Sequence, residues 1–423
     1  MAGSPHRRRA DCRVCGSLEL ETFLELGPQP LANSYPRAPA DFEKEPFFPL
    51  DVCFCRRCAL VQTPDIVDPT VLFRHYVYRS GVSALMLGHF REQAQSLVNE
   101  LKLGAKDLVV EAASNDGTLL RCFQKLDVRT LGVEPAQNLA AEARAAGVDT
   151  LDRFFDEPTA ASIRKERGPA RVVVANNVLA HVDDLVGFLR AARSLLAEDG
   201  RLVVEFPYLG ELLDRLEYDT IYHEHLCYFS LSPLLVACER AGLDVVRADR
   251  VAVHGGSVRL HAAPARGGHS GEVRAQVEGE RASGMLDAAR FRKFAADVRA
   301  HRDLLRGLLT RLRREGRSIA AYGAPAKGNT LLNWCRIGTD LVEFTVDRNP
   351  DKVGSFTPGM HLPIRPIVAL RERQPDFTLI LPWNLAREIV AQEAEYERRV
   401  GAFIVPVPAP TVLEPTRTSG APR

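Results

Sequence analysis

The sequence predicts an α/β protein in which parallel, helix-covered sheets follow a small cysteine-stapled segment. Three observations carry that prediction. From about residue 80, apolar strands alternate with helical stretches, the pattern of a parallel sheet covered on both faces. A second strand–turn–helix run, Ser318 to Thr330, recurs far downstream. Ahead of both lie two C-x-x-C pairs, Cys12/Cys15 and Cys55/Cys58.

The bounds agree with a multidomain globular chain. At 423 residues it is too long for one ordinary domain and predicts two or three. With 46% hydrophobic and 26% charged residues it has ample material for cores. A net charge of +1 gives no basis for nucleic-acid or membrane attraction. The short Arg7-Arg8-Arg9 run reads as a solvated tail. No apolar segment approaches the roughly 20 residues of a membrane span, and no signal-peptide core follows those arginines. The expected location is therefore the cytoplasm. In that compartment nine cysteines are thiols or metal ligands, not a disulfide framework.

The cysteine pairs come first in the chain. Two knuckles supply four thiolates that can close a tetrahedron around zinc, for which soft ligands are suited. Cys12, Cys15, Cys55 and Cys58 are the predicted ligands, although the gap between the pairs is wide for a zinc ribbon. Cys53 is left out because it breaks the spacing. The site is expected to be structural, since a small Pro- and turn-rich segment needs a staple.

Next, the run Leu108 to Ala113 is an apolar strand entering the small polar turn Ser114-Asn115-Asp116-Gly117, with a helix over 118–125. Leu131 to Pro135 is a second strand, ending in Glu134. Arg171 to Val174 is a third, ending near Asn176-Asn177, and Leu202 to Phe206 a fourth. Ligands of such sheets bind at the carboxyl ends of the strands. The first turn lacks G-x-G-x-x-G, so a dinucleotide fingerprint is not met. A strand-end acid such as Glu134 suits a ribose diol. Together these features fit an adenosine ligand that carries no pyrophosphate.

Beyond the fourth strand, Tyr222-His223-Glu224-His225 packs a phenol, two imidazoles and a carboxylate into four residues. Such groups are rarely buried without partners, so the cluster reads as an acid/base centre. His223 is expected to point outward. A hairpin, Asp244–Val246 to Ser257–Leu260, would close the sheet. A linker over 263–271 and a long charged helical pattern, Glu272 to Gly316, follow. The downstream turn then offers backbone amides at a helix start, with Lys327 as a cation for phosphate. Phe344 to Asn349 reads as a further strand ending in Asp347. The stretch from Pro406 is expected to be disordered.

Eight motifs occur in one order: Cys12-x-x-Cys15; Leu26 to Asn33; Cys55-x-x-Cys58; Ser114 to Gly117; Asn176 to His181; Tyr222 to His225; His254 to Ser257; and Lys327 to Thr330. Together they resemble the S-adenosylmethionine-dependent C-methyltransferases that branch nucleotide-linked deoxysugars for antibiotic biosynthesis. The resemblance runs from about Cys12 to about Pro406. It implies a zinc-binding domain over 1–72, a class I methyltransferase (Rossmann-like) domain over 73–264, a second Rossmann-like domain over 265–406 and a tail over 407–423. It implies S-adenosylmethionine and structural Zn2+ as cofactors. The expected substrate is a dTDP-linked 4-keto-6-deoxysugar, and the expected state is a monomer. Nucleic acid and membrane are not expected as partners.

The implied reaction assigns roles. A carbon beside a ketone becomes nucleophilic only when its proton is removed, which calls for a base and for a donor near the carbonyl oxygen. His225 is the expected base, since imidazole titrates near neutral pH. Tyr222 donates to the enolate oxygen or shares the proton transfer, Glu224 orients these groups or neutralises an imidazolium, and His181 lies at the pocket wall. Glu111, Ser114, Asn115, Asp116, Gly117, Glu134, Asn176 and Asn177 are expected on the methyl donor. Tyr76, Arg79, Ser80, Lys327, Asp347 and Arg348 are expected on the nucleotide sugar. Ala112-Ala113 stands where such domains usually carry glycine, which narrows the cradle. Whether carbon 3 or carbon 5 is methylated is left open. The competing readings are sugar O- or N-methylation, a nicotinamide-dependent sugar oxidoreductase, and a zinc-ribbon interaction module.

Overall fold

The computed structural model describes residues 5–74, 76, 78–82, 84–253, 255–399 and 401–413. His254 of the seventh motif and residues 414–423 of the expected tail lie outside the described residues. The chain divides into two compact units. The first comprises Met1–Glu21, Cys53–Leu209 and Leu226–Asp287, the second Thr22–Val52, Gly210–His225 and Ala288–Arg423.

The first unit is built on a seven-stranded sheet. Its strands are β1 (Leu108–Ala112), β2 (Arg129–Val133), β3 (Thr150–Leu151), β4 (Ala170–Asn176), β5 (Leu196–Pro207), β6 (Leu243–Val251) and β7 (Ser257–Pro264). The spatial order is β3-β2-β1-β4-β5-β7-β6. β1 to β5 are parallel, and β7 runs antiparallel to both of its neighbours. The expected hairpin thus closes the sheet as β6–β7. The central strands are apolar on both faces because helices cover both. Leu185–Leu195 and Glu157–Arg167 cover one face, Ala84–Leu101 and Thr118–Gln124 the other. The order reverses between β1 and β4, so the ligand crevice of this fold falls at their carboxyl ends.

The cysteine segment shares a core with this sheet rather than standing apart. Cys12, Val14, Cys55, Cys58, Leu60 and Ile66 are buried in the same cluster as Val173, Ala175 and Leu226.

The second unit carries a six-stranded sheet: β8 (Ile319–Tyr322), β9 (Thr345–Asp347), β10 (Ile364–Pro366), β11 (Phe377–Ile380), β12 (Ala402–Val405) and β13 (Thr411–Leu413). Its order is β10-β9-β8-β11-β12-β13, parallel except for β13. Two expectations are corrected. The helical pattern over 272–316 breaks into Gly271–Ala282 and Ala288–Arg314, at the Gly284 turn with its left-handed backbone. Residues 411–413, expected in a disordered tail, add an edge strand by pairing with β12. Residues 210–225 cluster with the second unit, where Tyr218 is wholly buried and its hydroxyl meets His301 Nδ1 at 3.0 Å. Among the described residues no helix is long and apolar enough to cross a membrane.

Candidate active site and metal centre

The two cysteine knuckles are built alike. In each, the residue after the second cysteine is left-handed, Gly16 at φ 72° and Ala59 at φ 61°. In each, that residue's amide donates to the carbonyl of the first cysteine, Gly16 to Cys12 at 2.9 Å and Ala59 to Cys55 at 2.8 Å. This tight turn aims both thiols of a pair the same way. The four Sγ atoms all lie within 4.8 Å of one another. A tetrahedral zinc with Zn–S near 2.3 Å needs sulfurs about 3.8 Å apart, so the donor set fits the ion. Cys53 stays outside it, directed at the Gln62 carbonyl at 3.4 Å.

At the carboxyl end of β1 the backbone turns through three left-handed residues, Ala113, Asn115 and Gly117. Glu111, the penultimate residue of the strand, is almost fully buried, and its Oε2 has no hydrogen-bond partner among the described residues. Burial, reinforced by Asp116 and Glu134, pushes its pKa well up. Glu134, at the end of β2, accepts from Asn115 N and Ala136 N, both at 2.7 Å. Burial outweighs those amides and raises its pKa to about 7. An orphaned buried carboxyl oxygen beside an open-backbone turn fits a cationic, hydroxyl-bearing ligand such as S-adenosylmethionine. Glu111 would face its ammonium group and Glu134 its ribose.

Other predicted residues of this edge have structural tasks. The Asn115 side chain accepts from Ser80 N at 3.0 Å and donates to Tyr78 O at 3.1 Å. Asp116 accepts from Gly81 N at 2.9 Å and from the Thr118 hydroxyl at 2.6 Å. Asn115 and Asp116 therefore hold the 78–81 strap over the turn, and a Cβ at Gly81 would sit 2.8 Å from Asp116 Oδ2. Ser114 Oγ is buried against Gly132. Asn176 exchanges amide hydrogen bonds with Gln93. Asn177, left-handed at φ 54°, donates its amide to the Glu205 carbonyl at 2.7 Å. Arg79, expected on diphosphate, forms a two-bond ion pair with Glu142, both contacts at 2.9 Å. The Tyr76 backbone is clamped by Asn138. His181 ends a short 3-10 turn with its ring edge to Phe73 at 5.4 Å.

The Tyr222–His225 cluster belongs to the second unit. His225 Nδ1 lies 2.8 Å from the Thr220 carbonyl, which can only accept, so Nδ1 carries the proton. Nε2 is then an acceptor, and it meets the Tyr222 hydroxyl at 2.9 Å. The rings lie 4.1 Å apart between centroids. Glu224, expected to act on this pair, is buried and accepts from Asn33 Nδ2 at 2.7 Å. His223, expected to point outward, is instead 1% exposed, with Nε2 3.1 Å from the Pro49 carbonyl.

Around the second sheet, Asp347 accepts from Ala324 N at 2.7 Å, fixing the turn after β8. Beside it Lys352 donates to the Ala324 carbonyl at 2.8 Å, and the Tyr35 hydroxyl donates to the same oxygen at 2.6 Å. Sequence reasoning missed Asn33, Tyr35 and Lys352. The Leu26–Asn33 motif was the only signal for the first. Lys327 does not face an open phosphate cradle: it lies 4.0 Å over the Trp383 ring and hydrogen-bonds Asn384. Glu217 and Asp219 are close enough to act on its charge. Arg348 is bonded to Gln392.

A zinc binding domain model matches residues 12–73, a methyltransferase domain model residues 86–248, and the model of the C-methyltransferase C-terminal domain residues 252–408. The C-methyltransferase NovU of Streptomyces niveus is 38% identical over 416 residues, covering 96% of this chain and 98% of that protein. Among solved structures, the CcbJ methyltransferase of Streptomyces caelestis is 18% identical over 42% of this chain and 90% of its own, with a TM-score of 0.34. The magnesium protoporphyrin IX methyltransferase of Synechocystis is 16% identical over 45% of this chain and 88% of its own, with a TM-score of 0.33. Identity of this extent along nearly the whole of both chains places the protein in the C-methyltransferase family that includes NovU, as an S-adenosylmethionine-dependent enzyme with a structural zinc.

Proposed function

We propose that this enzyme methylates the carbon beside the ketone of a nucleotide-linked 4-keto-6-deoxysugar, with dTDP as the expected nucleotide. The observation that carries the reading is the Tyr222–His225 pair. Carbon methylation next to a carbonyl needs a base that takes a proton from carbon, and a neutral imidazole with its Nε2 lone pair held in place is such a base. Thr220 keeps the other imidazole proton on Nδ1. The phenol can accept the carbon-bound proton while passing its own to Nε2, so the two residues act as one acid/base unit. The imidazolium that forms keeps its Nδ1 bond to Thr220 throughout.

S-adenosylmethionine supplies an electrophilic methyl carbon. The chain's own part is to hold the donor by Glu111 and Glu134 and to move the sugar's proton. Positioning contributes much of the acceleration in such reactions. Membership of the C-methyltransferases removes the O- and N-methylation and oxidoreductase readings. On the sugar side, Tyr35, Lys352 and the Asp347-fixed turn lie with Asn33 and Glu224 in one unit, and this polar group suits a hydroxylated ligand.

The test is incubation with S-adenosylmethionine and a panel of dTDP-4-keto-6-deoxysugars, with product analysis by mass and proton NMR. One added methyl whose coupling places it on carbon 3 or carbon 5 is expected. A methyl on oxygen or nitrogen would contradict the reading, as would transfer only to acceptors lacking a ketone.

A further inference from the structure

The acid/base unit works only if His225 keeps its proton on Nδ1, and the Thr220 backbone carbonyl, in a one-turn helix, lies at that nitrogen. We propose that Asp219 and Trp383 are positioning residues for His225: their hydrogen bond fixes the Tyr218–Thr220 turn so that the Thr220 carbonyl holds the imidazole proton on Nδ1. The proposal rests on the role given above to the Tyr222–His225 pair.

A turn of three residues cannot fix its own direction. Its internal bonds are few, Thr220 N to Glu217 O at 3.1 Å, the Thr220 hydroxyl to the same oxygen at 2.7 Å and Ile221 N to Tyr218 O at 3.0 Å. Two consecutive side chains do the anchoring. Tyr218 donates to His301 Nδ1 at 3.0 Å, and His301 Nε2 donates to the Pro406 carbonyl at 2.7 Å. Asp219 accepts from Trp383 Nε1 at 2.6 Å. Tyr218 alone would leave the turn free to pivot about one point. Asp219, the residue next to Thr220, adds the second point and so sets where the carbonyl aims.

The chemistry of Asp219 supports a role beyond packing. It is wholly buried, and its Oδ1 has no hydrogen-bond partner among the described residues. A buried carboxylate with an unsatisfied oxygen costs stability, and an apolar residue of similar volume would fill the space more cheaply. Burial raises its pKa to about 6 although Lys327, the Trp383 indole and the backbone amides of Asp219 and Thr220 act to lower it. Lys327 lies over the Trp383 ring, so the same indole both binds Asp219 and seats the cation that balances it. This explains why Lys327, a candidate phosphate ligand by sequence, faces acids instead.

The experiment reads the tautomer directly, by long-range proton–nitrogen correlation of the 15N-labelled histidines in the whole protein, with His225 assigned from the His225→Asn spectrum. Wild type is expected to show His225 protonated on Nδ1. Trp383→Phe keeps a ring beneath Lys327 but deletes the donor, while Asp219→Leu keeps the volume but deletes the acceptor. Both are expected to populate the Nε2-protonated form and to lose at least tenfold in kcat, with the dissociation constant for S-adenosylmethionine unchanged within twofold. Variants that keep the wild-type imidazole spectrum, whatever their activity, would overturn the proposal. If Trp383→Phe does not fold, Asp219→Leu carries the same comparison. Spectra that respond as expected in a protein that methylates no keto-sugar would sustain the positioning role and remove the substrate reading. Unresponsive spectra in an active enzyme would do the reverse.

Discussion

Asn33 Nδ2 lies 2.7 Å from Glu224 Oε1 and joins residues 191 positions apart. A buried carboxylate needs such a donor, because its desolvation is otherwise uncompensated. The bond ties the acid/base segment to the strand-end motif at Leu26–Asn33, which no local pattern connects to it.

Replacing that donor by an acid inverts the interaction. In Asn33→Asp two carboxylates meet in a buried site, and one of them takes a raised pKa in the folded state. A raised folded pKa means that stability is retained below the unfolded value, near 4, and lost as pH rises through the folded one. The deficit in melting temperature relative to wild type should therefore grow from pH 5 to pH 8, corresponding to about 1–3 kcal/mol at the upper end. A deficit constant with pH would contradict the account. Thermal melts across that range make the comparison.

Glu134 offers a test of the donor cradle. Its pKa of about 7 means that the free enzyme holds it partly protonated at neutral pH. Ribose hydroxyls that donate to the carboxylate favour its ionised form, so binding S-adenosylmethionine should release protons below pH 7 and tighten as pH rises to 7.5. Calorimetry at pH 6.5 in buffers of different ionisation enthalpy measures that release. Glu134→Gln should abolish it and weaken binding roughly tenfold, the loss of about 1.4 kcal/mol.

Much of the fold was legible because its signals are local. Strand–helix alternation gave β1, β2, β4 and β5 to within a few residues, except that β5 begins six residues earlier, at Leu196. The paired cysteine spacing gave the metal ligands without any structural information. What was hidden depends on long-range contact. β3 and β10 are only two and three residues long and carry no periodic pattern. Lys327 looked like a phosphate ligand because the sequence could not show Glu217, Asp219 and Trp383 around it. The same limit hid Glu142 from Arg79 and Asn33 from Glu224. The Tyr222–His225 pair was visible as a cluster, but the Thr220 carbonyl, which sets the basic nitrogen, was not.

The knuckle geometry predicts what a small change does to the metal centre. Gly16 sits at φ 72° with open space around it, so Gly16→Ala adds backbone strain and no clash. It should cost about 1–2 kcal/mol while leaving the zinc content at one per chain. Cys55→Ser removes a ligand and should lower both zinc content and folding yield. A stable, zinc-free Cys55→Ser protein with wild-type turnover would contradict the structural role. Metal analysis beside thermal melts distinguishes the two variants.

The central claim, that Tyr222 and His225 together take a proton from carbon, is tested most directly by exchange in deuterium oxide. The enzyme is incubated with a dTDP-4-keto-6-deoxysugar and S-adenosylhomocysteine, so that no methyl is transferred, and deuterium at carbons 3 and 5 is followed by proton NMR. The account predicts enzyme-dependent deuterium entry at one of these carbons, reduced at least a hundredfold in both His225→Asn and Tyr222→Phe. Exchange at the wild-type rate in either variant would contradict it.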